Sequence, residues 1–178
     1  QAMVAAGKGI LAMDESAPTC KKRFDALGIS STNVMRREYR TMLVTTPNLG
    51  DYIGGAILFD ETLRDSTLDG KTFISVLEEA GIVPGIKVDA GIKDMALRPG
   101  EKVTEGLDGL GSRLAEYAEM GARFAKWRAV YTIDKSQPSA ASYSANAHSL
   151  ARYAALCQEH GLVPIVEPEV LMDGGHSL

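Results

Sequence analysis

Cysteine is scarce in this 178-residue chain: only Cys20 and Cys157 occur. They lie far apart in helix-like stretches, which excludes a disulfide framework or a metal-knuckle spacing and points to a reducing compartment. No run of five or six basic residues exists, and 19 Lys+Arg against 23 Asp+Glu leave a net charge of -4. Nucleic acid and anionic membranes are therefore not expected partners. No apolar stretch approaches the ~18 residues needed to span a bilayer, and the amino end lacks a signal or transit pattern. Gln1 reads as the entry into a helix already under way, so residues are expected to precede it. A G-x-G-x-x-G turn is also missing, which argues against a dinucleotide-binding sheet.

What remains is an ordinary globular composition, 45% hydrophobic and 24% charged, for which one domain is the default. Five apolar runs of strand length recur, Ile10 to Met13, Ile53 to Phe59, Val83 to Val88, Phe124 to Val130 and Val163 to Val170. Each is bounded by glycine, proline or charge. Between them lie segments with helical spacing, one apolar stripe being Leu110, Leu114, Tyr117 and Ala118 and another Ala147, Leu150, Ala151 and Ala154. Ala80-Gly81, Met120-Gly121 and His160-Gly161 place glycine where a helix takes a left-handed cap, and a strand follows each within about two residues. The repeat extends to sequence in Gly81-Ile82-Val83-Pro84 and Gly161-Leu162-Val163-Pro164.

Such alternation predicts α/β architecture with parallel strands, and the missing dinucleotide turn favours a TIM (β/α)8 barrel over an open sheet. Five strands cannot close eight, and a complete barrel takes ~250 residues. Residues 1–178 are therefore expected to form a partial barrel domain of about the first five strand-helix units, truncated at both ends. Asp60 to Lys71 and Met95 to Leu107 read as polar loops on the face that carries catalysis in barrels.

Alternation of side chains along a strand pairs Lys87 with Asp89, Lys126 with Arg128 and Glu167 with Glu169, and puts Asp14 in phase with Ile10 and Ala12. Charge delivered at four strand ends costs several kcal/mol or more, roughly, unless opposite charges or a ligand compensate it. Paired carboxylates can divide into acid and base, and an amine among other cations can become nucleophilic. On chemistry alone, carbonyl chemistry through a Schiff base fits, with Lys126 or Lys87 nominated for the imine. Arg128 and Lys87 alternatively suit phosphate oxygens, and Ser16, Thr19, Lys22 and Arg23 add donors after the first strand, although Lys22 and Arg23 equally fit a solvated helix face. Trp127 points away from Lys126 and Arg128 and should pack between strand and helix. His148, His160 and His176 lack metal-ligand spacing and receive no role.

Gly9-Ile10-Leu11-Ala12-Met13-Asp14-Glu15-Ser16, Gly85-Ile86-Lys87-Val88-Asp89, Phe124-Ala125-Lys126-Trp127-Arg128 and Val163-Pro164-Ile165-Val166-Glu167-Pro168-Glu169 resemble, in order, the class I fructose-bisphosphate aldolases. Gly54-Gly55-Ala56-Ile57-Leu58-Phe59 and Gly106-Leu107-Asp108-Gly109-Leu110 match as well. The resemblance implies reversible cleavage of fructose 1,6-bisphosphate to dihydroxyacetone phosphate and glyceraldehyde 3-phosphate, with no metal or other cofactor. It implies that Asp14 takes part in carbon-carbon cleavage, that Glu167 is the general acid/base of imine formation, that Lys126 assists charge and proton handling, and that Glu169 is a further active-site carboxylate. Ser16, Thr19, Lys22, Arg23, Lys87 and Arg128 fall where the family binds sugar phosphate.

Two departures accompany it. Ala90 stands where the family usually has lysine, and the Schiff-base lysine belongs to a sixth strand outside this chain, which moves the imine role away from Lys126. The resemblance further implies a homotetramer in the cytoplasm or plastid stroma. A second reading, from a different class, is a truncated and inactive aldolase fragment serving as a binding or scaffold module.

Overall fold

The computed structural model describes residues 1–177; Leu178, the last residue of the expected domain, lies outside the described residues. The chain divides into two compact units, residues 1–87 with 119–124, and residues 88–118 with 125–178.

The first unit opens with a short 3-10 turn at Ala2–Val4. It then runs β1 (Gly9–Met13), α1 (Ala17–Asp25), α2 (Asn33–Val44), α3 (Leu49–Tyr52), β2 (Ile53–Leu58), α4 (Asp60–Arg64), α5 (Phe73–Glu79) and β3 (Val83–Lys87). The three strands are parallel and adjacent in chain order, with Ile10 opposite Gly55 and Gly55 opposite Val83. Almost every residue of β2 is buried, which is why it reads as a continuous apolar run rather than an alternating one. Its glycines make room: a Cβ on Gly55 would lie 3.2 Å from the ring of Phe124, and one on Gly85 in β3 only 2.3 Å from it. The fully buried Phe124 thus fills the space that two strand glycines leave.

Helix ends follow local chemistry. Thr32 caps α2 by accepting from the Met35 amide at 3.2 Å, and Thr72 caps α5 by accepting from Ser75 at 3.1 Å. Gly81 has φ +70° and closes α5, where the Ile82 amide reaches back to the Leu77 carbonyl at 2.9 Å. This bond across five residues is the left-handed stop expected from Ala80-Gly81. One expectation needs correction: α4 forms inside the stretch read as a polar loop after β2, because Asp60 and Glu61 occupy its first turn and Arg64 its last, each suited to the helix dipole.

The second unit contains β4 (Ile92–Asp94) and β5 (Lys102–Thr104), then α6 (Leu110–Glu119, whose last residue falls in the first unit), β6 (Phe124–Tyr131, beginning in this unit at Ala125), α7 (Ala140–Glu159) and β7 (Val163–Val170). Strands β4 and β5 pair antiparallel, Lys93 opposite Val103. The polar stretch after β3 is therefore a hairpin rather than a loop. Alternation was too short there to read, three residues per strand. Strands β6 and β7 are hydrogen-bonded neighbours.

Helix α6 buries Leu110, Leu114 and Tyr117 as its spacing predicted. Helix α7 does not bury the alanine stripe; its inner face is Ser142, Asn146, Leu150, Tyr153 and Cys157, while Ala147 and Ala151 are exposed. Asn146 and Tyr153 are satisfied by hydrogen bonds, which a hydrophobicity count cannot anticipate. Trp127 is fully buried and its ring lies 5.5 Å from that of Tyr153, the packing role its parity indicated. Cys20 and Cys157 are buried free thiols. No helix among the described residues is long and apolar enough to cross a membrane.

Candidate active site

In the first unit, Asp14 follows β1 and is 8% exposed, and Lys87 ends β3 partly buried. Ser16 precedes α1 and its hydroxyl lies 3.1 Å from that of Thr19, so the two form one exposed hydroxyl pair at the start of the helix. Lys22 is exposed. Arg23 instead turns back onto Glu15, pairing with Oε1.

Glu15 is the centre of a cluster that sequence reasoning passed over. Arg40, 3% exposed on α2, pairs with Glu15 Oε2 and donates to the Glu15 carbonyl at 2.7 Å, and the Tyr39 hydroxyl donates to Oε1 at 3.3 Å. Burial pushes the Glu15 carboxyl up, but hydrogen bonds and the charges of Arg40 and Arg23 outweigh it and hold the group below the usual range. The chain immediately after Asp14 is thereby clamped to α2. A weak signal existed: an arginine on the inner face of a helix needs a carboxylate, and Glu15 is the charged neighbour of the strand end.

In the second unit, Lys126 and Arg128 project from the same face of β6, and Glu167 and Glu169 from the same face of β7, as parity requires. Lys126 Nζ lies 3.4 Å from Glu167 Oε2, Arg128 Nε 3.9 Å from Glu167 Oε1, and Arg128 Nε pairs closely with Glu169 Oε2. These four side chains form one alternating network of charge. The hydrogen bond to Glu169 raises the Arg128 pKa above its ordinary value, and the same bond lowers that of Glu169. Glu169 is thus held as an anion, while Glu167 sits at longer range between two cations and keeps lone pairs available.

Asp89 is the second residue sequence reasoning left without a role. Its carboxylate accepts from the Gly91 amide at 3.0 Å and from the Arg128 amide at 3.5 Å. The structure therefore brings together Lys126, Arg128, Glu167 and Glu169 in one unit, and Asp14, Ser16, Thr19, Lys22, Arg23 and Lys87 belong to the other. Among the described residues no group of three or more His, Cys, Asp or Glu is disposed to hold a metal ion.

Parallel strand-helix units that carry their functional side chains at the carboxyl ends of the strands are the construction of the (β/α)8-barrel class. The solved fructose-bisphosphate aldolase of Plasmodium falciparum, crystallised with TRAP and a small-molecule inhibitor, superposes with a TM-score of 0.95 at 50% identity, over 98% of this chain and 51% of that one. The fold is accordingly α/β, a parallel half-barrel of five strands. The family model for class-I fructose-bisphosphate aldolase matches residues 1–178, and the chain belongs to that family. The probable fructose-bisphosphate aldolase class 1 of Xanthomonas campestris is 62% identical over the whole chain, which covers 53% of that relative. The chloroplastic fructose-bisphosphate aldolase 2 of Pisum sativum is 55% identical over 97% of the chain, covering 49% of the relative. The chain thus spans about half the length of the curated relatives it matches, the amino-terminal half.

Proposed function

We propose that the intact protein cleaves fructose 1,6-bisphosphate reversibly to dihydroxyacetone phosphate and glyceraldehyde 3-phosphate through a lysine Schiff base, the lysine lying outside residues 1–178. The observation that carries this is the Lys126-Glu167-Arg128-Glu169 network in a chain of the class-I aldolase family. Imine formation must add a proton to a departing hydroxyl and remove one from an amine, so it needs one group that exchanges protons beside others of fixed charge. Glu167, held loosely at 3.4 and 3.9 Å from two cations, suits the exchanging role. Glu169, locked onto Arg128, suits the fixed one. Lys126 steadies the charge that develops on Glu167, and Asp14 serves carbon-carbon cleavage.

In this reading Ser16, Thr19, Lys22, Arg23, Lys87 and Arg128 receive the sugar phosphate, by hydroxyl and cationic donors. The imine is the electron sink, so the chemistry calls for no metal. Residues 1–178 act as part of a single barrel domain, in a homotetramer of the cytoplasm or plastid stroma. Borohydride reduction of the intact protein with substrate tests the central claim. One lysine outside residues 1–178 should be labelled; a label on Lys126 or Lys87, or none at all, refutes it.

A further inference from the structure

On the side of β6 that meets residues 88–90, side chains take the place of the backbone ladder at Arg128. The Val88 amide donates to the Lys126 carbonyl at 3.1 Å, the normal bond of a parallel ladder. The same ladder would next join the Arg128 amide to the Val88 carbonyl and the Ala90 amide to the Arg128 carbonyl. Neither bond forms. The Val88 carbonyl accepts from Arg113 Nη1 at 2.9 Å, and the Ala90 amide turns away to Glu105 at 2.8 Å. Asp89 Oδ2 accepts from the Arg128 amide at 3.5 Å in the first carbonyl's place, and Thr104 Oγ1 donates to the Arg128 carbonyl at 2.7 Å in the second amide's place.

Thr104 is itself fixed from behind. It is 3% exposed, and its amide donates at 3.3 Å to Oδ1 of the fully buried Asn146, whose Nδ2 donates to the carbonyls of Lys102 at 2.9 Å and Ser142 at 3.2 Å. Every hydrogen bond of this amide is made inside the protein, so the β4-β5 hairpin is joined to α7 by a buried polar contact with one geometry. The hydroxyl that meets Arg128 is placed by that contact.

We infer that Thr104 and Asn146 are positioning residues for Arg128, fixing the peptide from which its guanidinium departs and so setting the affinity of the site for a sugar phosphate. The inference rests on the reading of Arg128 as a phosphate-binding group. A backbone anchored at both its amide and its carbonyl fixes the direction of the side chain between them, and small misplacements of a binding group weaken binding steeply.

The test is steady-state kinetics of the intact protein with fructose 1,6-bisphosphate. Thr104→Val, which keeps shape and removes the donor, should raise KM about fivefold, with a smaller change in kcat, the loss expected of one net hydrogen bond. Thr104→Ser should restore the parent KM, and Thr104→Val should add nothing in an Arg128→Ala background. Thr104→Ala is a second probe with the same expected direction should the valine variant not fold. If Arg128→Ala raises KM while the donor-less variants leave it unchanged, or lower only kcat or thermal stability, positioning is overturned and the phosphate reading stands. If Arg128→Ala leaves KM unchanged, the phosphate reading fails and the positioning inference falls with it.

Discussion

Replacing Arg40 by methionine tests the clamp behind Asp14. Arg40 is 3% exposed and reaches both Glu15 Oε2 and the Glu15 carbonyl, the latter at 2.7 Å. Methionine keeps most of the volume and deletes the cation. The Glu15 side chain, 9% exposed, is then left with Arg23 and with the Tyr39 hydroxyl at 3.3 Å. Breaking a buried ion pair from one side costs ~3–5 kcal/mol, and because these two partners remain, ~3 kcal/mol is expected at pH 7. The pH dependence gives the sharper reading. In the parent, the folded-state pKa of Glu15 lies below its ordinary 4.5. Its stabilisation is therefore present above that value and lost as pH falls through the folded value. Without Arg40, burial dominates and the folded pKa rises above the unfolded one. The sign then reverses: the stranded carboxylate costs nothing while protonated and destabilises as pH rises. Urea unfolding of parent and variant should show a wider gap at pH 7 than at pH 5, and adding Glu15→Gln to Arg40→Met should recover part of the loss at pH 7. A gap under ~1 kcal/mol at pH 7, or one that does not change with pH, refutes the account.

Two further outcomes follow from packing. Gly85→Ala puts a Cβ about 2.3 Å from the Phe124 ring and should lower stability by ~1–3 kcal/mol, read as a fall in Tm; adding Phe124→Leu should recover some of it, and an unchanged Tm for Gly85→Ala contradicts the packing. Burial pushes the Cys157 thiol up to about 11, so peptide mapping after thiol labelling at pH 8 should find it unmodified in the native protein and modified in urea; prompt native labelling contradicts its burial.

Strand positions were legible because apolar runs of strand length stand between glycine, proline and charge, and the charged residues that face together at their ends were legible from period-two alternation. Lys126 and Arg128 face one way and Trp127 the other, and the structure keeps that division. The glycine stops were equally local: Gly81 and Gly161 have φ +70° and +72°, conformations that glycine alone adopts cheaply. What escaped were features made by partners distant in sequence. Arg40 is 25 residues from Glu15, and Asn146 is 42 from Thr104. Neither separation leaves a periodic trace. The inner face of α7 escaped for the same reason, since Asn146 is buried by virtue of what it bonds to, whereas alanine at Ala147 and Ala151 only resembles a core residue. The hairpin and α4 were too short for periodicity to outweigh their polar composition.

The caps at Gly81 and Gly161 have a bearing on how such a chain can change. Each bends straight from helix into strand, the Leu162 amide meeting the Cys157 carbonyl at 2.8 Å just as Ile82 meets Leu77 at 2.9 Å. Those connections hold no slack, and inserting or deleting a residue there would rotate the following strand and turn its charged face inside out. The carboxyl ends of the strands are built differently, with room after β3 for an entire hairpin. Length variation is thus channelled to one end of the strands. Lineages descended from such a chain can revise what they bind by lengthening or trimming that end while the opposite turns keep every strand in step.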